Sequence, residues 1–191
     1  MKQFIAGFDP GGRGNFGWCL MELTDSLVVV DHGLVNCADE AFDKMKEHLD
    51  GELVAAGIDA LLYWARGGGH RKSDKHVHRT SGADVMAVNS LQGACLIQGF
   101  LLAKRIKFEY PDCMITETHP KALLKISDGA RKFKNDEYSE DERDAMISAW
   151  AAAQCFLHGG KPNLFCFENK KDIHAFLEET IYWWPILNSS L

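Results

Sequence analysis

Three short apolar runs, residues 3–9, 16–23 and 27–36, open the chain with only turn-length gaps between them. That spacing predicts three strands joined as an antiparallel meander. Phe42, Met45 and Leu49 then fall at helical spacing and predict a short helix over 39–50. Leu53–Trp64 reads as a buried fourth strand running into a loop. Residues 90–107 read as a long buried helix with Leu91, Ala94, Cys95, Gln98, Leu101 and Leu102 along one face. In residues 113–119, the fifth strand, alternation sets Ile115, Glu117 and His119 on one side, and Pro120 ends the run. Residues 139–158 form the best-marked helix: Ser139 and Glu142 make a capping box, Gly159-Gly160 is a stop, and the body is apolar nearly all round. In the tail, Ile173, Phe176, Leu177, Thr180, Ile181 and Trp184 space as one face of a packing helix.

A helical crossover normally joins parallel strands. The expected fold is therefore α/β: a mixed five-stranded sheet, antiparallel over strands 1–3 and parallel over strands 4–5, with helices on both faces. At 191 residues, residues 1–191 read as a single domain, with 161–191 a C-terminal packing extension. The longest apolar run, near Ala94–Ala103, is interrupted by Gln98 and too short to span a bilayer, so no membrane partner is expected. The N-terminus enters a strand without a basic and apolar leader. The six cysteines lie singly, without C-x-x-C spacing, as buried thiols of a reducing compartment do. The expected location is cytoplasmic.

Candidate chemistry begins with an internal echo. The first strand ends Ala6-Gly7-Phe8-Asp9 and the fourth ends Ala56-Gly57-Ile58-Asp59, each followed by a Gly-rich loop containing arginine. Parallel neighbours lie about 4.8 Å apart, so both carboxylates should leave the sheet at the edge where open α/β sheets bind ligands. The crossover argument brings Glu117 to the same end. Asp144 stands where the apolar body of the last long helix begins, with Asp141 one turn before it as a further acid able to share the site. An ordinary Asp-Pro-Gly-Gly turn, an exposed edge glutamate and charges complementing a helix N-terminus are the plainer readings of these acids. Gathered together, like charges cost about 4 kcal/mol per contact at 4 Å and an effective dielectric near 20. A divalent cation would offset that cost, and an oxygen-only set suits Mg²⁺ or Mn²⁺. Two such ions about 3.5–4 Å apart hydrolyse phosphodiesters.

Net charge is −6, yet residues 66–79 and 121–134 each carry five Lys or Arg against one Asp. Such segments are either solvated loops or a seat for an anionic partner. On the second reading Arg66, Arg71, Lys72, Lys75, Arg79 and Lys121 would contact phosphates of a nucleic acid. Trp183 and Trp184 read as core or subunit packing, which leaves a homodimer open.

Four stretches, GFDPGGRGNFGW, GIDALLYWARGGGHRKSDKHVHR, ETHPKALL and EDERDAMISAWAAA, together resemble the ribonuclease H-like superfamily over residues 3–155. The likeness is nearest to RuvC-type resolvases and a related group of bacterial predicted nucleases of unknown function. In that group the second motif is similar to Ile-Asp-Ala-Pro-Leu followed by a spaced Arg, Asp and Arg. Leu61 replaces the proline here, while Arg71, Asp74 and Arg79 fit the spacing. The resemblance implies a ribonuclease H-like fold and a metal-dependent nuclease, with Asp9, Asp59, Glu117 and Asp144 as catalytic metal ligands and Asp141 as a fifth. A non-catalytic nucleic-acid-binding module on the same fold is the alternative. An actin-like phosphotransferase fits less well, because it needs two such domains.

Overall fold

The computed structural model describes residues 1–65, 70–84, 93–159, 173–175 and 181–185. Strands β1 (Gln3–Asp9), β2 (Phe16–Leu23) and β3 (Leu27–Val35) form the expected antiparallel meander. Helix α1 (Ala38–His48) crosses to β4 (Glu52–Ile58), which pairs parallel to β1. After β5 (Tyr63–Ala65) and helices α2 (Lys72–Ser81) and α3 (Gly93–Glu109) comes β6 (Met114–Glu117), parallel to β4. Helices α4 (Pro120–Ile126), α5 (Asp128–Arg131) and α6 (Glu140–Leu157) follow. The mixed α/β architecture expected from the sequence is thus present, with five principal strands in the order β3-β2-β1-β4-β6.

The tail departs from expectation. Its described parts are strands, β7 (Ile173–Ala175) antiparallel to β5 and β8 (Ile181–Tyr182) parallel to β6, where a packing helix was predicted. A short apolar run does not distinguish the two by periodicity. Here β6 offers an open edge, and Trp183 N–H donates to Thr116 Oγ1 at 3.0 Å. Residues 176–180 of the predicted helix face lie outside the described residues. Trp183 and Trp184 are buried in the core with Leu123, Ile147 and Ala151.

Alternation along the strands sorts the two faces. Phe4, Ala6, Phe8, Phe16, Trp18 and Leu20 pack with Phe42 and Met45 of α1 and with Leu102, Ala103 and Ile106 of α3. The other face, Ile5, Cys19, Met21 and Ala55, packs on Ala145, Met146, Ala149 and Ala152 of α6. On α3 the buried stripe is Leu96, Gly99, Leu102, Ala103 and Ile106, while Leu101 is exposed, so the predicted face is rotated. A helix with apolar residues on all sides does not by itself select which of them turns inward. Leu91 of that predicted face lies outside the described residues.

Glycines place α6. A Cβ on Gly7, Gly17 or Gly57 would stand about 2 Å from the backbone oxygens of Ala145, Asp141 and Ser148 respectively. These three positions on β1, β2 and β4 let the helix backbone lie directly on the sheet. The N-terminus of α6 is fixed by the predicted capping box: Ser139 Oγ accepts from Glu142 N–H, and Glu142 Oε2 accepts from Ser139 N–H. Glu142 Oε1 also meets His32 Nδ1 of β3 at 3.0 Å.

Candidate metal centre

Asp9, two residues beyond Gly7, and Asp59, two beyond Gly57, continue the α6 side of their strands. Asp144 comes down from α6 between Asp141 and Ser148, whose carbonyls rest over Gly17 and Gly57. One oxygen from each of Asp9, Asp59 and Asp144 lies within 4.8 Å of the other two. Asp144 is 1% exposed. Arg143 holds its Oδ1 with Nε and Nη2 at 2.9 and 2.8 Å, while its buried Oδ2 has no hydrogen-bond partner among the described residues.

Electrostatics mark the same three residues and, outside their group, Asp141. Burial, and then the charges of Asp144 and Asp141, push Asp9 up to about 8. Asp59 is raised well above the ordinary carboxylate range by burial and by Asp9 and Asp144. Asp144 is raised by burial against the opposing pull of Arg143. Asp141, half-buried at the head of α6, is raised by burial and by Glu140. These are carboxylates that favour either a proton or a cation.

Glu117 belongs to a different constellation. It is aligned with Ile58, which is aligned with Phe8, and both of those side chains face α1 and α3. Residues in register on parallel strands point the same way, so Glu117 turns from the side taken by Asp9 and Asp59. There it meets the buried Arg71, whose Nη1 and Nη2 donate to its two oxygens at 2.9 and 2.5 Å. Leu62 N–H donates to Oε2 at 2.8 Å, and His119 Nε2 stands 2.9 Å from Oε1. Burial would raise Glu117, but Arg71 overrides it and holds the carboxyl down at about 2. Asp74, Glu117 and His119 are close enough to hold a cation as well. In this case the guanidinium is the cation: Asp74 takes Nε and Nη2, Tyr63 O takes Nη1, and the Tyr63 ring lies 4.0 Å from Cζ. The two constellations touch through His119, whose Nδ1 is 3.6 Å from Asp59 Oδ1.

The basic residues separate in the same way. Arg71, expected to contact phosphate, has no exposed side chain and caps α2 from inside. The segment after it is a helix where the charge run predicts a loop, and Lys72, Lys75 and Arg79 line a cavity of about 720 Å³ with His70, His78 and two acids, Asp74 and Asp84. Lys121, on α4, is ion-paired with Glu140 at 2.8 Å, and its charge opposes part of the upward shift of Asp9, Asp59 and Asp144. Arg66 lies outside the described residues. His119 and Arg143 also belong to the site and carry no motif of their own in the sequence. Their signals were adjacency alone, one beside Asp144 and the other two residues after Glu117.

Compared with known proteins, the chain matches no family model, no curated protein and no solved structure. No helix among the described residues is long and apolar enough to cross a membrane. The five described cysteines, Cys19, Cys37, Cys95, Cys113 and Cys155, are free thiols.

Proposed function

We propose that this chain is a divalent-metal-dependent phosphodiester hydrolase, a nuclease on a ribonuclease H-like fold, with Mg²⁺ or Mn²⁺ held by Asp9, Asp59 and Asp144. One observation carries the reading: Asp144 Oδ2 is buried with no donor among the described residues, beside two further carboxylates whose proton affinity is raised. A structural acid acquires a donor, whereas an acid kept for a cation needs an open lone pair. Three carboxylates with no sulfur in the set fit a hard cation.

A divalent ion in that position would supply Lewis-acid polarisation of a phosphoryl oxygen and a more acidic bound water. The chain's own residues orient the rest. Arg143 fixes Asp144 through Oδ1 and makes no hydrogen bond to Oδ2. Lys121 brings a positive charge to the rim, where a phosphate would arrive. Lys72, Lys75 and Arg79 along α2 supply the sequence-independent attraction that a nucleic-acid backbone requires.

The test is cleavage of single-stranded and duplex oligonucleotides with Mn²⁺ or Mg²⁺ and with chelator. Cleavage should require metal and vanish in Asp9→Asn. Metal binding and nucleic-acid binding without cleavage would assign the fold to a binding module instead.

A further inference from the structure

Two groups of side chains at this end of the sheet have the size and charge to hold a cation, and they differ in what already sits there. Asp9, Asp59 and Asp144 lie within reach of one another, and Asp144 Oδ2 is buried with no hydrogen-bond partner among the described residues. Asp74, Glu117 and His119 surround Arg71. Resting on the hydrolase reading above, we infer that the centre takes one divalent cation, on the three aspartates, because the buried guanidinium of Arg71 is a permanent counter-charge to Glu117.

The argument is one of saturation. Glu117 Oε1 meets Arg71 Nη2 and His119 Nε2, and Oε2 accepts from Arg71 Nη1 and Leu62 N–H. A carboxylate has about four lone-pair sites, so an incoming ion would have to displace one of these partners. Displacing Arg71 would bury a cation against a cation, since Arg71 is also held by Asp74 and by the carbonyl of Tyr63. A guanidinium does not lose its proton to relieve that conflict. The backbone enforces the same division, because alignment with Ile58 sends Glu117 to the face opposite α6. The Glu117 carboxylate therefore reaches the metal centre through its charge on Asp59 and through His119, which stands between the two, and not as a ligand.

Titration of the wild-type chain with Mn²⁺, read by calorimetry and by electron paramagnetic resonance, tests this without any substrate. The expected result is one ion per chain, with the spectrum of an isolated ion. Two ions per chain with an exchange-coupled spectrum overturn the inference and leave the hydrolase reading intact. No binding at millimolar Mn²⁺ overturns both. Glu117→Gln gives a second arm, because removing an outer partner of a metal ligand costs roughly 10–100-fold in affinity but no site. Its stoichiometry should stay at one, and loss of one ion from a wild-type count of two would refute the assignment. Should that variant fail to fold, the wild-type count and spectrum still decide.

Discussion

Glu117 on β6 stands in register with Ile58 of β4, one residue short of Asp59. That offset of a single position divides the acids of this sheet edge into a cluster in which Asp144 Oδ2 has no donor among the described residues and a pair, Glu117 and Asp74, held by Arg71. Beyond the strand ends the ladder continues, Asp59 N–H to Phe8 O and Thr118 N–H to Ile58 O, so the offset is held by hydrogen bonds on both sides.

Because Arg71 neutralises both Glu117 and Asp74 in a site closed to solvent, its removal strands two buried charges. Arg71→Ala should destabilise the fold by about 3–5 kcal/mol. Lys72→Ala, one residue on and exposed, should stay within about 0.5 kcal/mol. Urea denaturation of the two variants measures both. Similar small losses would mean that Arg71 is solvated after all.

Close backbone packing makes a second contrast. Gly7→Ala would press a methyl to within 1.9 Å of the Ala145 carbonyl oxygen and force α6 off the sheet. We expect a loss of roughly 1–3 kcal/mol or more, together with weakened metal binding as Asp144 moves away. Nothing lies within 4 Å of a Cβ on Gly12, and Gly12→Ala should be neutral or stabilising by up to about 1 kcal/mol. Equal effects at the two positions would remove the glycines as the device that seats α6.

The meander, the parallel crossover strands and the capped helix α6 were all legible in the sequence. Each had a local signal: run length for the strands, a capping box and a glycine stop for the helix. Asp9, Asp59 and Asp144 were legible for the same reason, each lying at a marked strand end or helix start. Glu117 was correctly placed at the end of its strand and on the side of Ile115, but strand polarity does not give register, and register decides which face an acid joins. The charge run around Arg71 predicts an accessible cation in contact with phosphate, whereas the side chain is buried. Its burial depends on Glu117, 46 residues away, and on Asp74. The short runs of the tail carry helical and strand periods alike, so its strands have no signal separate from a helix.

Opposite pKa displacements predict opposite pH effects. Asp9 is raised from 3.8 to about 8 in the fold. Its stabilising contribution is full below the unfolded value and is lost as pH rises through about 8. Glu117, lowered from 4.5 to about 2, stabilises fully above its unfolded value, and that is lost as pH falls through about 2. In chelator, the advantage of Asp9→Asn over wild type in melting temperature should therefore grow between about pH 5 and 8. An advantage that does not change with pH would show that Asp9 titrates normally.

Salt dependence checks the basic helix. If Lys72, Lys75 and Arg79 contact phosphates, each replacement by alanine should weaken nucleic-acid binding for every sequence alike. It should also reduce the slope of log K against log salt by about 1. An unchanged slope would leave the α2 cavity to another ligand.

Asp144→Asn tests the centre through stability alone. In the metal-free protein Asp144 Oδ1 is held by Arg143, and Oδ2 is buried with no donor among the described residues, in a side chain that neighbours Asp9 and Asp59. Asparagine can present its carbonyl to Arg143 and turn its amide toward the two carboxylates, replacing a repulsion by a hydrogen bond. Relief of a buried unsatisfied group contributes about 1–3 kcal/mol, and each kcal/mol is worth roughly 2–4 °C in a chain of this size. The variant should accordingly melt above wild type in chelator. Metal binds only the folded centre and stabilises it by about 2.7 kcal/mol at a hundred times its dissociation constant. The variant forfeits most of that, so saturating Mg²⁺ or Mn²⁺ should reverse the order. If Asp144 served only the N-terminal dipole of α6, asparagine would cost a few tenths of a kcal/mol, roughly, in both conditions. Four melting curves, two proteins with and without metal, distinguish these cases, and an order that never reverses removes Asp144 from the metal centre.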